Sequence, residues 1–521
     1  MTMNADAQTR APEPTDLPGT QKALALAGTL LGMLLAALDQ TIVATAGPAI
    51  QRDLAIEPSL YTWITTSYLV ASTVCVPIWG KLSDALGRRR ILLAGIGVFL
   101  LGSVLCGVST SATQLILARA VQGIGSASLF TSAFTVIADL FTPAERGRFQ
   151  GIFGAAFGLS SVIGPMIGGF VTDTFGWHWC FFVNLPVGAI ATTFILARMP
   201  PLRRPQAHPL SLDVAGALAL ALFAVPLMLA LSLGRIDARP GEVGWPWLSW
   251  QIGALLAVAV AGLFTFAAVE GRARDPIVDL KLLRLRVVAA GLAVNFLAGL
   301  SFLGAIVFLP LFMVVVAGAS ATSAGMTTLP LTMGLFAANI ASGQLASRLG
   351  RTKPILVVTV AGACAAFLLL AFTLDVDSTE GAVAWRMFLL GLGLGPAIPL
   401  VPLTVQNAVP PPVIGAVTSL TTFFRQMGAT MGLALLGTVF AASLPALGGG
   451  LAGGEGGAPT ASALAHLDPA ALLAFKRSFV DAVTRVFLFA AAFQAAALGA
   501  VMLLPNQPLR GRAPAPPPPT E

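Results

Sequence analysis

The chain has 521 residues, 56% of them hydrophobic and only 10% charged, with a mean hydropathy of +0.84. Soluble domains carry about 25% charged residues, so this composition excludes a water-facing globule and points to a bilayer as solvent. The net charge of +7 resides in short loops rather than on a folded face, which argues against nucleic-acid binding and matches the way membrane topology is encoded.

In chain order the apolar runs predict fourteen helical spans and an all-α, polytopic membrane fold. A cytoplasmic, disordered N-terminus is expected over 1–22, with no cleavable signal peptide. Six spans then form a first bundle within 23–198, at about 23–48, 60–80, 91–109, 113–138, 149–172 and 179–198. Two intervening spans follow within 213–269, at about 213–233 and 248–269. Six more make a second bundle within 287–506, at about 287–316, 324–347, 354–373, 383–407, 414–441 and 482–504. An outside loop is expected over 442–481, with a flexible Gly448–Gly457 tract and a short surface helix over Ser462–Phe475. A Pro-rich tail, 507–521, closes the chain as disordered.

Loop charge tests this count. With both termini cytoplasmic, 21 of the 30 Lys and Arg residues fall on the inner side and six on the outer, an asymmetry that an odd number of spans would scramble. The remaining three, Arg119, Arg386 and Arg425, lie within or at the ends of apolar spans, and Asp39 is the one acid well inside a span. Charges in hydrocarbon cost several kcal/mol, so each is expected to face a cavity or a partner.

Cys75, Cys106, Cys180 and Cys364 lack CxxC spacing, and His178, His208 and His466 are isolated, so neither a metal site nor a disulfide framework is expected. No Walker lysine motif occurs, and Gly391-Leu-Gly393-Leu-Gly395 follows no strand, so it is not a nucleotide loop.

A Gly-framed basic turn, Gly80-Lys-Leu-Ser-Asp84-Ala-Leu-Gly87-Arg88-Arg89-Arg90, links spans 2 and 3. A weaker copy, Gly343-Gln-Leu-Ala-Ser347-Arg-Leu-Gly350-Arg351, recurs in the second half, which indicates duplication. Gly80 permits close helix approach and Gly87 a positive φ. Asp84 can accept from a helix N-terminus or pair with an arginine. Ser347 stands where the first copy has Asp84, so the second copy lacks that anchor. The arginines alone could be a topology signal, but the Gly–Asp–Gly frame needs another reason.

Further motifs are Leu38-Asp39-Gln40-Thr41-Ile42-Val43 in span 1, Arg119-Ala-Val-Gln122-Gly123-Ile-Gly125 in span 4, Gly164-Pro165-Met-Ile-Gly168-Gly169 in span 5, and Trp177 to Pro186, ending Val183-Asn184-Leu185-Pro186. Together with the Gly80 loop, these resemble, in order and spacing, the 14-span drug:proton antiporter family of the major facilitator superfamily. The resemblance covers nearly the whole chain. Two departures are Ala46-Gly47-Pro48, where the family continues Ala-Leu-Pro, and Ser347.

The resemblance implies two six-helix bundles with two helices between them, no enzymatic activity, and no cofactor beyond the proton gradient. It implies that the Gly80, Asp84, Gly87 and Arg88 loop is a latch holding the cytoplasmic side closed. It also implies that Gly164, Pro165, Gly168 and Gly169 form an antiporter kink at the seam between halves; ordinary small-residue packing is the competing reading. Asp39 is the expected proton carrier, exchanging partners with Arg119, because desolvation favours the neutral acid and a nearby cation the charged form; a purely structural pair is the alternative. Gln122, Arg425, Phe308 and Phe312 are candidate cavity residues. Arg386 resembles a decayed copy of the Arg119 motif, and Phe424-Arg425-Gln426-Met427-Gly428 a typical span 13 run.

The implied function is export of amphipathic, cationic small molecules across the inner (plasma) membrane by alternating access. Partners are then the substrate, protons and lipid, with an envelope fusion protein if the host has two membranes. An exporter dedicated to one endogenous metabolite, such as an antibiotic or siderophore, and a non-transporting membrane sensor are the alternatives.

Overall fold

The computed structural model describes residues 18–56, 58–199, 213–235, 244–316, 328–443 and 468–510. The first half contains α1 (Gly19–Asp53), α2 (Pro58–Leu86), α3 (Arg88–Gly107), α4 (Ala112–Leu140), α5 (Pro143–Phe175), α6 (His178–Phe182) and α7 (Asn184–Arg198). Then come α8 (Val214–Leu233) and α9 (Trp250–Glu270). The second half contains α10 (Arg286–Val315), α11 (Leu329–Leu349), α12 (Lys353–Thr373), α13 (Glu380–Leu394), α14 (Ala397–Ala408), α15 (Ile414–Ser443) and α16 (Pro469–Leu503). A two-residue parallel ladder, Gly234–Arg235 with Trp245–Pro246, joins the chain between α8 and α9.

Local sequence sets the helix starts. The Asp213 carboxylate accepts from Gly216 N–H at 2.7 Å, and Ser111 and Ser249 accept from Gln114 and Ile252 N–H at 3.3 and 3.4 Å. Each satisfies a first-turn donor that bilayer or headgroup would otherwise leave unpaired. Before α5, Glu145 reaches back to accept from Thr142 N–H at 3.2 Å, with Pro143 at the first helical position.

The helices make two six-span bundles and an intervening pair. α6 with α7, and α13 with α14, each form one broken span. The halves meet along two lines, α5 against α11 and α2 against α15, while α8 leans on both α2 and α15 and carries α9 on its outer side. Thirteen described helical stretches are long and apolar enough to cross a bilayer. The fourteenth, α11, is less apolar because its seam-facing side carries Asn339 and Ser342, both buried against protein rather than lipid.

Several boundaries differ from the sequence reading. α1 begins at Gly19, inside the segment expected to be disordered. The last span begins at Pro469 rather than 482, because Phe475 and Phe479 pack into the core of the second half. The expected surface helix therefore merges with it from Pro469 onward. Residues 507–510 are pinned: Leu509 N–H donates to Gly350 O at 2.9 Å and Arg510 N–H to Asn407 Oδ1 at 3.0 Å. The expectations for 1–17, for the Gly448–Gly457 tract and for 511–521 lie outside the described residues.

Both ends of the described chain lie on one face. The Lys22 ammonium sits 5.7 Å from the Phe141 ring centroid at the end of α4, and Leu509 meets the Gly350 turn. The Gly80 loop is on that same face, since Arg88 reaches Asp139 near the end of α4.

Candidate functional site

A closed polar cluster occupies the centre of the first half. Arg119 Nη1 lies 2.6 Å from Asp39 Oδ2, an ion pair in which the residues are 1% and 0% exposed. Gln122, one turn after Arg119, accepts from Arg119 Nη1 at 2.6 Å and donates through Nε2 to Asp39 Oδ1 at 2.8 Å. Asn184 Nδ2 donates to the same Asp39 oxygen at 2.9 Å and to Ser103 Oγ at 2.8 Å. Ser103 Oγ donates in turn to Phe181 O at 2.9 Å. The guanidinium also stacks over the Tyr68 ring at 4.2 Å, and the Tyr68 hydroxyl pairs with Ser126 Oγ at 2.6 Å.

The break between α6 and α7 is what presents Asn184 to this cluster. Gly176 ends α5 with φ +91°, and Trp177 Nε1 donates to Asp53 Oδ2 at 2.8 Å. Those two anchors turn the chain so that Asn184 starts α7 facing Asp39. The Asp39 carboxylate thus takes one ionic and two amide hydrogen bonds. The cluster lies inside the first half: all of these partners come from α1, α2, α3, α4, α6 and α7. Asp39 therefore faces a partner rather than a cavity, away from the seam between the halves. Its helix face points inward to α4 and α7.

The Gly80 loop forms a second cluster. Arg88, 2% exposed, donates from Nε to Asp139 Oδ2 at 2.7 Å, from Nη1 to Ser83 Oγ at 3.0 Å and from Nη2 to Asp84 Oδ1. Asp84 Oδ2 accepts from Ala416 N–H at 2.9 Å. Ala416 lies in the first turn of α15, so an acid of the first half caps a helix of the second. Gly87 takes φ +96°, a value costly for any side chain, and turns α2 directly into α3. A Cβ at Gly80 would collide with Ser419 on α15, so only glycine allows this approach.

The weaker copy makes the equivalent crossing without a charge. Gly343 packs backbone to backbone on Gly147 at the start of α5, but Ser347 Oγ donates to Gly343 O of its own helix at 3.2 Å. Farther along this seam, Gln150 Nε2 donates to Gln406 Oε1 at 3.0 Å, and the Ser161 and Thr332 hydroxyls lie 3.3 Å apart. The halves are thus closed together on the face that carries the Gly80 loop.

The Gly164 motif sits elsewhere than expected. Gly164 and Gly168 press on Thr41 and Thr45 of α1, within one half, and Gly169 faces open space. α5 runs unbroken through Pro165. The seam contacts of α5 come instead from its earlier turns, at Gly147, Gly151 and Gly154. The motif ties α5 to the helix that carries Asp39, rather than to the other half.

The second half contains a small hollow of about 20 Å³. It is lined by Asn295, Gly299 and Phe302 of α10, Val360 of α12, Ala397 of α14, Arg425 of α15 and Gln494 of α16. Phe308 and Phe312 do not line it; they are 4% and 0% exposed in the apolar core, with Phe308 against Phe440 at 5.0 Å. Helical spacing explains this: 295, 299 and 302 share a face, and six residues past 302 the chain has rotated by about 240°. Arg386 lies near the start of α13, its guanidinium 5.6 Å from the Trp385 ring.

Sequence reasoning paired Asp39 with Arg119 and named Gln122 only as a candidate cavity residue; the structure places Gln122 between the two, and Asn184, Ser103 and Tyr68 were missed. A readable signal existed for Asn184, a lone amide in the apolar run that follows Trp177.

Two helical bundles with an intervening pair, joined by a charged contact between Asp84 and the start of α15, have the architecture of a membrane transporter. The chain matches the family model of the Major Facilitator Superfamily over residues 29–433, and it belongs to that superfamily. It is 40% identical over 420 residues to the multidrug transporter protein MdtP of Bacillus subtilis, covering 81% of this chain and 75% of that one. It is 37% identical over 412 residues to multidrug resistance protein 3 of the same organism, covering 79% and 78%. Among solved structures, the human organic anion transporter MFSD10 shares the fold with TM-score 0.60 at 16% identity, over 92% of this chain and 100% of that one.

Proposed function

We propose that the protein is a proton-coupled exporter of amphipathic, cationic small molecules, working by alternating access across the plasma membrane with the Gly80 loop and both termini on the cytoplasmic side. The observation that carries this reading is the buried Asp39–Arg119 pair, a carboxylate and its cation with no exposure in the core of a transporter half. Intramembrane ionisable groups are costly and functional by default. The names of the relatives support drug efflux, and the loop asymmetry of 21 against six basic residues supports the orientation.

In the arrangement described, Asp39 is paired with Arg119. Protonation of Asp39 removes the attraction, and Arg119 has fallback partners already in reach: Gln122 Oε1 at 2.6 Å, Ile64 O at 3.4 Å and the Tyr68 ring. The guanidinium can therefore let go of the acid without becoming an uncompensated charge. Asp39 faces α4 and α7, while Thr41, on the opposite side of the same helix, meets Gly164 of α5, and α5 packs on α11 across the seam. A change in pairing at Asp39 thus reaches the seam through one helix contact. Opening of the Asp84–Ala416 latch would then expose the centre to the cytoplasm for loading, and closing it would return the arrangement described.

A drug panel on a pump-deficient host tests this. Wild-type protein is expected to give resistance to several unrelated amphipathic cations, and Asp39→Asn to abolish it at equal abundance. Protection against a single compound would favour a dedicated metabolite exporter instead.

A further inference from the structure

We propose that Asn339, on the seam between the halves, is a cargo-contacting residue: once the halves part, its amide oxygen accepts the N–H of a protonated, amphipathic amine, with Gln150 as a second acceptor on the facing wall. This rests on the reading of the chain as an exporter of amphipathic cations and deepens it by naming groups that recognise them.

Asn339 lies midway along α11 (Leu329–Leu349) and is 0% exposed. Neither its Oδ1 nor its Nδ2 has a hydrogen-bond partner among the described residues. Its cover explains this. A Cβ at Gly154 of α5 would stand 2.9–3.1 Å from the Cγ, Oδ1 and Nδ2 of Asn339. The amide therefore lies against the bare Cα of a glycine in the other half, which offers it no polar atom. A buried amide without a partner costs free energy that an alanine or leucine there would not. Packing of the closed seam thus gives no reason for asparagine at this position. A partner that arrives when α5 and α11 separate does.

A second, independent side chain points the same way. Gly147, Gln150, Gly151 and Gly154 share the face of α5 that meets α11. Gln150 is 0% exposed, and a hydrogen-bond chain fixes which way its amide turns. Gln150 Nε2 donates to Gln406 Oε1 at 3.0 Å, Gln406 Nε2 donates to Thr418 Oγ1 at 2.9 Å, and the Thr418 hydroxyl donates to Ile414 O at 2.6 Å. Gln150 Oε1 is left as an acceptor with no donor among the described residues. The other line of contact between the halves has its acid satisfied, through Asp84 and Ala416 N–H. Free acceptors thus stand on both walls of the α5–α11 seam. Carbonyl oxygens bond a charged N–H well and give a quaternary nitrogen nothing to donate. The midpoint of α11 is also the depth at which cargo meets both halves of an alternating-access transporter.

The test is equilibrium binding to the purified full-length protein in nanodiscs, with empty nanodiscs subtracted. The probes are acridine orange, protonated on its ring nitrogen at neutral pH, and its ring-N-methylated derivative. Both carry one positive charge on the same frame, and only the first offers that N–H. Wild-type protein is expected to bind acridine orange about five-fold tighter than the derivative, the scale of one hydrogen bond. Asn339→Ala is expected to bring that ratio close to one, Gln150→Ala to lower it by a smaller factor, and Asn339→Ser, which keeps an acceptor, to retain part of it. A wild-type ratio near one, no binding of either probe, or a ratio that survives Asn339→Ala in a protein that melts normally would overturn the proposal. Equal weakening of both probes by Asn339→Ala is such a surviving ratio, the mark of a shifted balance between closed and open halves. If Asn339→Ala does not fold, Asn339→Ser decides: a reduced ratio supports the contact and an unchanged one overturns it. Resistance in the drug panel with a wild-type ratio near one would sink this contact and keep the exporter reading. An Asn339-dependent ratio without resistance would sink export and keep the contact.

Discussion

The two halves descend from one pattern yet treat their central charge in opposite ways. At the heart of the first, Arg119 is satisfied by Asp39, Gln122 and the Tyr68 ring. In the second, Arg425 borders a small hollow whose described lining holds no acid. The same contrast holds at the latch: Asp84 crosses to the α15 N-terminus, whereas Ser347 bonds only within its own helix. Both halves make the seam crossing, but the internal charge pairing is seen in one. The first half therefore encloses a paired charge, and the second sets an arginine beside a small hollow.

The sharpest way to break this comparison is to neutralise each arginine. Arg119→Gln leaves the Asp39 carboxylate buried without its cation, a loss of about 3–5 kcal/mol. Arg425→Gln removes a cation that has no partner, so thermal stability is expected to hold or rise. Thermal unfolding of the two purified variants decides; equal losses would mean that Arg425 is satisfied after all.

A second contrast lies at the latch. Asp84→Asn should cost about 1.5–3 kcal/mol, as a charged hydrogen bond is lost beside Arg88, whereas Ser347→Ala should cost little. Inter-half distances from spin labels on α2 and α15 should shift toward the separated population for Asp84→Asn alone. Gly80→Ala, which drives a methyl into Ser419, should weaken the same contact by about 1–3 kcal/mol. Gly97→Ala on α3, with nothing within 4 Å, is the silent control.

The smallest effect is expected from Tyr68→Phe. It loses the 2.6 Å bond to Ser126, worth about 1 kcal/mol, but keeps the ring beneath Arg119. Melting should fall slightly and transport should persist. Abolished transport would move the hydroxyl into the switch itself.

Much of this was legible in the sequence because it rests on local spacing. Apolar run length gave the spans, Gly87 the turn, and the rarity of intramembrane charge singled out Asp39, Arg119 and Arg425. What was not legible depends on which way a helix faces. Gly164 and Gly168 could equally have met the other half, and only packing decides that they meet Thr41 and Thr45. Phe308 and Phe312 differ from Phe302 by rotation alone. Asn184 becomes a partner of Asp39 through the break between α6 and α7, which hydropathy does not register. The early start of the last span follows from Phe475 and Phe479 burying against the second half, a tertiary effect on residues that otherwise resemble a surface helix.

The most direct measurement is transport by purified protein in proteoliposomes, with Asp39→Asn beside wild type, reading both uphill uptake driven by a pH gradient and gradient-free counterflow of the same cationic substrate. The account predicts that Asp39→Asn loses the uphill uptake while counterflow continues. Uphill uptake retained by that variant would contradict it.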